Sequence, residues 1–221
     1  MSKVKSHCSS CKDVFNSFLD IGAVYDGYFD IPCVRARDVV PGKLISFSKA
    51  LKTSDYDQFV HFYEHDAGFE RVWRSPKRYL PVLRRFAGVI TPDFSLYRDM
   101  PIADQIYNTR RGKRLGSWWQ YNGLTVLPNV RFSNERSYSF CCDGVSIGST
   151  ICIGSHGCLR AIEDRSYFKR GLEFVVFRLK PKRIIVYGAT PSDVFSVCYE
   201  QEIEIVQFDS EIRLVHKAGV A

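Results

Sequence analysis

The sequence lacks the long apolar runs that a membrane-spanning helix requires. No stretch among its 221 residues approaches the roughly 20 uncharged residues needed to cross a bilayer. The first segment, MSKVKSHCSSCKDVF, also has no apolar core of the kind found in a secretory signal peptide. We therefore expect a cytoplasmic protein with no membrane partner.

The sequence also lacks the standard fingerprints of nucleotide-driven enzymes and serine hydrolases. Neither G-x-G-x-x-G nor a Walker A motif occurs, which disfavours chemistry driven by NAD or ATP. Ser95 has no G-x-S-x-G context, so a serine nucleophile is weakly supported there. If the protein is an enzyme, its chemistry must be inferred from other residue types.

A paired cysteine framework is missing as well. The eight cysteines are scattered along a chain that is large enough to bury a core, so we expect reduced thiols and no disulfide scaffold. His7, Cys8 and Cys11 form one H-C-x-x-C, but no second pair stands at a matching distance. A zinc knuckle is therefore disfavoured.

The composition is that of a globular protein with one main core. Hydrophobic residues make up 45% of the chain and aromatic residues 14%, which is compatible with a single α/β domain over residues 43–221. We expect residues 1–42 to form an amino-terminal extension packed on that core. The net charge of +7 suits an anionic partner such as a nucleic acid or nucleotide, although a solvated basic surface would give the same value.

Seven short apolar runs alternate with amphipathic segments from residue 43 onward. They are KLISFS (43–48), FVHFY (59–63), GVIT (88–91), LTVLPNV (124–130), STICIG (149–154), RIIVYG (183–188) and IEIVQF (203–208). Strands that are apolar on both faces are typical of a parallel sheet covered by helices. The pattern predicts an α/β fold with a mainly parallel sheet, either open or closed in part as a TIM-like barrel.

The segments between the runs predict helices. Residues 166–181 carry apolar side chains at helical spacing, and Ser75 followed by Pro76 is typical of a helix start. We expect Asp99 to cap a further helix and Gly112 to end it, with four basic side chains in the range 110–114 near its last turn. A separate helical segment would follow.

Polar side chains stand where nearly every predicted strand ends. After GVIT, Pro92 has no N–H for the strand ladder, so the chain must turn, and that turn presents Asp93 and Ser95. Because the carboxyl ends of parallel strands share one edge of a sheet, these groups should surround a common cleft. Ordinary turn and capping chemistry explains any one of these residues equally well.

The candidate catalytic residues are Asp93, His156 and Asn129. Asp93, together with Glu64 and Asp66, can serve as a ligand of Mg²⁺ for phosphodiester hydrolysis. The same carboxylates can instead activate water for attack on a glycosidic bond without a metal. His156 can act as an acid, a base or a phosphate contact.

The candidate substrate-binding residues are Arg131, Arg136, Ser95, Tyr97 and Tyr187. Arg131 and Arg136 follow a predicted strand, where guanidinium groups can grip a phosphate with two hydrogen bonds. Exposed aromatic side chains such as Tyr97 can stack on bases.

Several motifs together resemble one protein family. The stretch FAGVITPDFSLYRDMP, preceded by VHFYEHD and followed by PNVRFSNERSYSF, GSHGC and IIVYG, is similar to an uncharacterised family of phage, plasmid and bacterial proteins, domain of unknown function 4417. The resemblance covers most of the chain and implies a setting in mobile genetic elements. It implies no reaction and assigns no catalytic residue.

Our leading hypothesis is a hydrolase that acts on nucleic acid or a nucleotide at the cleft on the strand ends. The alternative is a non-catalytic binder of nucleic acid, a signalling nucleotide or a host protein, used in phage or plasmid replication or in counter-defence. A weaker third hypothesis is a protein inhibitor with a vestigial cleft, which would expose an apolar patch elsewhere.

Overall fold

The computed structural model describes residues 13–211 and residue 213, and within them seven parallel strands organise the fold. The H-C-x-x-C motif lies outside the described residues. A short antiparallel pair, β1 (Tyr25–Asp26) and β2 (Ile31–Pro32), comes first. The parallel strands are β3 (Leu44–Ser46), β4 (Phe59–His61), β5 (Gly88–Ile90), β6 (Val126–Leu127), β7 (Thr150–Gly154), β8 (Arg183–Tyr187) and β9 (Glu204–Phe208).

The parallel strands lie side by side in their order along the chain. Strands β3 to β6 form one sheet and β7 to β9 another, and a parallel bridge between Asn129 and Cys152 connects the two. In the part of the chain that the structure describes, β9 does not pair with β3, so the barrel is not closed. The predicted α/β fold with a mainly parallel, open or partial barrel is confirmed.

Helices connect successive strands. They are α1 (Phe47–Ala50), α2 (Asp66–Arg74), α3 (Pro76–Leu83), α4 (Ile102–Tyr121), α5 (Ile162–Leu179) and α6 (Ser196–Glu200), with 3₁₀ turns at Ser17–Asp20 and Glu135–Ser139. Within the described ranges, none of them combines the length and the apolar character needed to traverse a bilayer. Two neighbouring parallel strands must be joined by a connection that crosses back along the sheet, and this connection is usually a helix. This requirement explains why apolar runs alternate with amphipathic segments in the sequence.

Both faces of the central strands β4 to β8 are buried, as their composition predicts, whereas the edge strand β9 is partly exposed. One face supplies an inner cluster with one side chain from each of five neighbouring strands, namely Phe59, Ile90, Leu127, Cys152 and Ile185. The other face packs on the helices in two larger clusters, one beside β3 to β6 and one beside β7 to β9.

Helix α4 differs from the prediction at both of its ends. Gly112 does not end it, because the helix runs without interruption from Ile102 to Tyr121. A side chain at Gly112 would place its Cβ 3.0 Å from the carbonyl oxygen of Pro92, and one at Gly116 would overlap the Thr91 methyl group. The glycines therefore allow the helix to approach the end of β5. Asp99 does not cap the helix, since Pro101 occupies that position.

The basic residues of α4 are not at a helix end but in its middle, and several are buried. Arg111 pairs with Glu70 at 2.7 Å, and Arg114 pairs with Asp20 through Nε at 2.6 Å. Lys113 is 3% exposed. Since these cations are bound inside the protein, they do not form the basic surface that the sequence suggested.

Part of the amino-terminal segment packs on the same core. The Asp20 pair lies in the first 3₁₀ turn, and the neighbouring Leu19 is fully buried in the core cluster beside β3 to β6. Gln120 of α4 also accepts a hydrogen bond from the Arg35 N–H at 2.8 Å. The division of the chain at residue 42 into extension and domain stays a prediction.

Candidate functional site

The carboxyl ends of the seven parallel strands surround one cavity of about 800 Å³. Each strand ends in, or is followed within a few residues by, a lining side chain. In strand order these are Ser46, Tyr63, Asp93, Arg131, His156, Tyr187 and Ser210. Folds built from parallel strands and helices bind their ligands at this edge. The structure thus brings most of the predicted strand-end residues to a shared site.

The turn after β5 places Asp93 at the floor of this cavity. The backbone N–H of Thr91 still donates to Leu127 at 3.0 Å, but Pro92 has no N–H to continue the ladder. The Thr91 hydroxyl oxygen accepts a hydrogen bond from the Asn129 N–H at 2.8 Å. This bond fixes the segment after β6 against the turn after β5, so that Asp93 and Asn129 become neighbours.

Asp93 and Asn129 belong to one hydrogen-bond network with Arg131. The Asn129 amide donates to Asp93 Oδ1 at 2.7 Å, and Arg131 Nη1 donates to Asp93 Oδ2 at 3.3 Å. The Tyr63 hydroxyl donates to Asn129 Oδ1 at 3.0 Å, and Lys113 Nζ donates to the Asn129 carbonyl at 2.7 Å. Two of the three candidate catalytic residues are therefore held in fixed orientations beside the candidate phosphate ligand.

Burial governs the electrostatics of Asp93. Its side chain is 11% exposed, and this burial raises the pKa of the carboxyl, while the positive charge of Arg131 and the hydrogen bond from Asn129 act in the opposite direction. A carboxylate whose pKa is raised is a stronger base than an ordinary exposed one. In return, the charge of Asp93 raises the pKa of Arg131 and keeps that guanidinium protonated.

Arg131 has hydrogen-bonding capacity that the protein leaves unused. Its Nε is buried and has no hydrogen-bond partner among the described residues, although the side chain lines the cavity and is 25% exposed. A guanidinium carries five N–H donors in a planar fork that matches the oxygen atoms of phosphate or carboxylate. The arrangement is suited to receive an anionic group.

Ser95 and Asp66 form a separate, structural contact at the rim. Asp66 accepts hydrogen bonds from the Ser95 N–H at 3.0 Å and from the Ser95 hydroxyl at 2.9 Å. Asn108 of α4 donates to the Ser95 carbonyl at 2.7 Å. Ser95 lines the cavity, but its hydroxyl is engaged by Asp66, and Asp66 in turn is occupied by Ser95.

His156 lies in the loop after β7 and lines the cavity. Burial lowers its pKa, and the charge of Arg160 acts in the same direction, so the imidazole is neutral at pH 7. A neutral imidazole has one N–H donor and one acceptor nitrogen. Its ring stands nearly perpendicular to that of Tyr187, with 6.3 Å between the ring centroids.

Gly188 fixes the position of the His156 loop. Its φ of +126° is strained for any other residue, and an added Cβ would overlap the Ser155 hydroxyl and lie 2.7 Å from the backbone nitrogen of His156.

We expect Gly188→Ala to destabilise the protein by about 2 kcal/mol. Gly123→Ala is a matched control, since Gly123 also has a positive φ but no atom within 4 Å of an added Cβ. Urea denaturation of both variants measures the difference, and equal losses would show that the contact with the loop costs nothing.

The carboxylates proposed as Mg²⁺ ligands do not converge on one point. In residues 13–211 and 213, no three His, Cys, Asp or Glu side chains are grouped as a metal site. Glu64 accepts a hydrogen bond from the Ser48 N–H at 3.1 Å, and Asp66 is held by Ser95. An ion here would depend on Glu64 or Asp93 and on phosphate oxygens from a ligand. The Mg²⁺ site stays a prediction.

Of the remaining substrate-binding candidates, two lie at the cavity and one does not. Tyr187 lines the cavity, and Tyr97 stands at its rim with 58% of its surface exposed. Arg136 lies apart, in the 3₁₀ turn Glu135–Ser139, where its backbone N–H donates to the Asn134 side chain at 3.3 Å. Arg136 is not among the residues that line the cavity.

Two residues of the network were not predicted from the sequence. Tyr63 follows β4 by two positions, so its place at a strand end was a usable signal. Lys113 lies in the middle of α4, where nothing in the local sequence marks it as a partner of Asn129. Burial lowers its pKa to about 8.

Comparison with known proteins gives a family and two phage relatives. The family model described as Domain of unknown function (DUF4417) matches residues 23–209. The Gene 1 protein of Mycobacterium phage L5 is 34% identical over 164 residues, an alignment that covers 72% of this chain and 71% of the relative. The Gene 1 protein of Mycobacterium phage D29 is also 34% identical over 164 residues, covering 72% of this chain but 60% of the relative, so the chain spans less than two thirds of the D29 protein. No solved structure matches.

The family model and the two phage relatives confirm the family resemblance seen in the motifs. The chain belongs to the DUF4417 family, an uncharacterised family with phage members.

Proposed function

We propose that the protein is a hydrolase that acts on a nucleotide or nucleic acid in the cavity at the strand ends. The observation that carries the proposal is the guanidinium of Arg131, which lines the cavity beside Asp93 and is 25% exposed. A phosphate group would accept hydrogen bonds from the N–H groups of this fork that face the cavity.

The roles of the other residues follow from their contacts. Asp93 accepts a proton from the attacking water, and Asn129 holds its carboxylate through the 2.7 Å hydrogen bond. His156 is neutral, so its one N–H can donate a hydrogen bond to the leaving oxygen, which then takes its proton from solvent water. Tyr63 supports this arrangement by fixing the Asn129 amide.

Cleavage of a phosphodiester bond is favoured over cleavage of a glycosidic bond. Glu64 and Asp93 both line the cavity, so the pair of carboxylates needed for glycoside chemistry is available. However, Asp93 is paired with Arg131, and a guanidinium is better suited to a phosphate than to a sugar ring. Mg²⁺ bound jointly by a carboxylate and the phosphate would assist the first reaction.

A second candidate is a binder without catalytic activity, which can serve phage replication or counter-defence. It is favoured by the fact that both oxygens of Asp93 accept hydrogen bonds from the protein itself. In such a protein Asp93 would only orient Arg131. The two candidates predict the same ligands and differ in turnover.

The proposal is tested by measuring binding and turnover of the full chain with and without Mg²⁺. Suitable ligands are nucleoside monophosphates, short single-stranded DNA and RNA, and the corresponding duplexes. Chromatography of the products distinguishes the reactions, because phosphodiester cleavage releases shorter nucleotides and glycosidic cleavage releases free bases. Binding without any product supports the non-catalytic candidate. The absence of binding to every phosphate-bearing ligand would refute both.

Arg131→Gln should weaken the binding of a nucleoside monophosphate by about tenfold or more. The reason is that a hydrogen bond to a charged group contributes roughly 1.5–3 kcal/mol. Arg37→Gln removes the same charge at an exposed position and should leave the affinity nearly unchanged. Isothermal titration calorimetry measures both constants. A similar loss in the two variants would mean that overall charge, not the cavity, determines binding.

A further inference from the structure

A second cavity of about 490 Å³ adjoins the first one on the other side of Arg131. It lies between the segments that follow β5 and β6 and the first turns of α5. Tyr97, Arg131 and the pair Gly157–Cys158 line both cavities and so form the boundary between them. Arg131 is therefore accessible from two sides.

The two cavities have a similar balance of polar and apolar surface but are lined by different side chains. The first includes the polar side chains of Glu64, Asp93 and His156. The second includes the apolar side chains of Leu96, Phe132 and Phe168, which are between 4% and 8% exposed, and the charged side chains of Arg98, Asp99 and Asp164. A cavity that combines aromatic and polar side chains beside a guanidinium suits a nucleobase, whose flat face is apolar and whose edge is polar.

One wall of the second cavity is held rigidly by cation–π contacts. The guanidinium groups of Arg98 and Arg170 lie 4.5 Å and 4.6 Å from the centre of the Tyr167 ring. Arg98 is itself fixed by Asp164, at 2.9 Å. Because these contacts order the wall before any ligand arrives, binding would cost little side-chain entropy.

We propose that the ligand of this site is a phosphodiester that joins two nucleosides, with its phosphate at Arg131 and one nucleoside in each cavity. This inference rests on the proposed function and specifies its substrate class. A phosphodiester carries two substituents on phosphorus and uses both cavities, whereas a phosphomonoester carries one and uses a single cavity. Each volume lies in the range of roughly 300–1,000 Å³ typical of small-molecule sites. The diester can come from a single strand or from a cyclic dinucleotide.

The test compares the affinities of AMP, the linear dinucleotide ApA and cyclic di-AMP, measured by calorimetry. The linear or the cyclic diester, or both, should bind at least about tenfold more tightly than AMP, because stacking of a second base contributes about 1–3 kcal/mol. A preference for one diester identifies its source. Tyr167→Ala should remove this advantage, so that the preferred diester binds about as tightly as AMP.

Two further variants make the result interpretable. Tyr97→Ala alters the exposed rim and should also weaken diester binding, even if Tyr167→Ala fails to fold. Tyr199→Ala, at a 53% exposed tyrosine of α6, should leave all three affinities unchanged.

The inference would be overturned if AMP and both diesters bound equally tightly and if neither Tyr167→Ala nor Tyr97→Ala changed these affinities. That result would leave the proposed function intact. Failure of all three ligands to bind would also overturn the inference, whereas the proposed function is refuted only if the longer single strands and duplexes fail to bind as well.

Discussion

Asp93→Asn should lower turnover by at least about 100-fold and leave ligand affinity within a few-fold. The amide has the shape of the carboxylate but cannot accept a proton, and the loss of a general base typically costs 10²–10⁴ in rate. Binding should persist because Arg131, the proposed phosphate ligand, remains in place. Product formation and calorimetric affinity, measured on the same preparation, separate the two effects.

A matched control exists on the other side of the fold. Asp57 is exposed in the loop that enters β4, at the opposite edge of the sheet, and Asp57→Asn should have normal turnover. If Asp93→Asn retained full activity, Asp93 would not be the base. If it lost affinity and turnover equally, Asp93 would act only by holding Arg131.

Because His61 is buried in its neutral form, the free energy of unfolding should fall by about 2–3 kcal/mol between pH 7 and about pH 4.5. The side chain is 1% exposed, and burial lowers its pKa from 6.5 to about 4. Its folded-state pKa is therefore below the unfolded value. The stabilisation is fully present above pH 6.5 and is lost as the pH falls toward 4, because only the unfolded chain readily takes up the proton.

Urea denaturation at several pH values measures this contribution. His61→Gln has no titrating imidazole and should show a flatter dependence between pH 6.5 and 4.5. His65→Gln, at an exposed position, should retain the steep dependence of the unmodified protein. Identical profiles for the His61 variant and the unmodified protein would show that the buried imidazole is not the cause.

The mainly parallel sheet could be predicted from the sequence because buried strands are apolar at consecutive positions. A run such as RIIVYG has that composition, which is typical of a strand covered on both faces. The same reasoning predicted that Asp93, Asn129 and Arg131 lie at one edge of the sheet, because the carboxyl ends of parallel strands meet there. The structure adds the distances that join these three residues.

The errors arise where a distant contact overrides a local signal. Gly112 has the appearance of a helix end, yet it serves the close packing of α4 against Pro92. Arg136 follows the same strand as Arg131 but is carried away from the cavity by a 3₁₀ turn. Tyr167 and Arg98 could not be paired from the sequence, because they come from different segments and meet only in the folded chain.

The central claim is that Arg131 binds phosphate between two cavities at the strand ends. A crystal structure of the protein with ApA tests it most directly. We predict a phosphate oxygen within hydrogen-bonding distance of the Arg131 guanidinium and a base in the second cavity beside Phe132 and Phe168. A phosphate bound instead at exposed basic residues such as Lys77 and Arg78 of α3, with Arg131 still paired only to Asp93, would contradict the account.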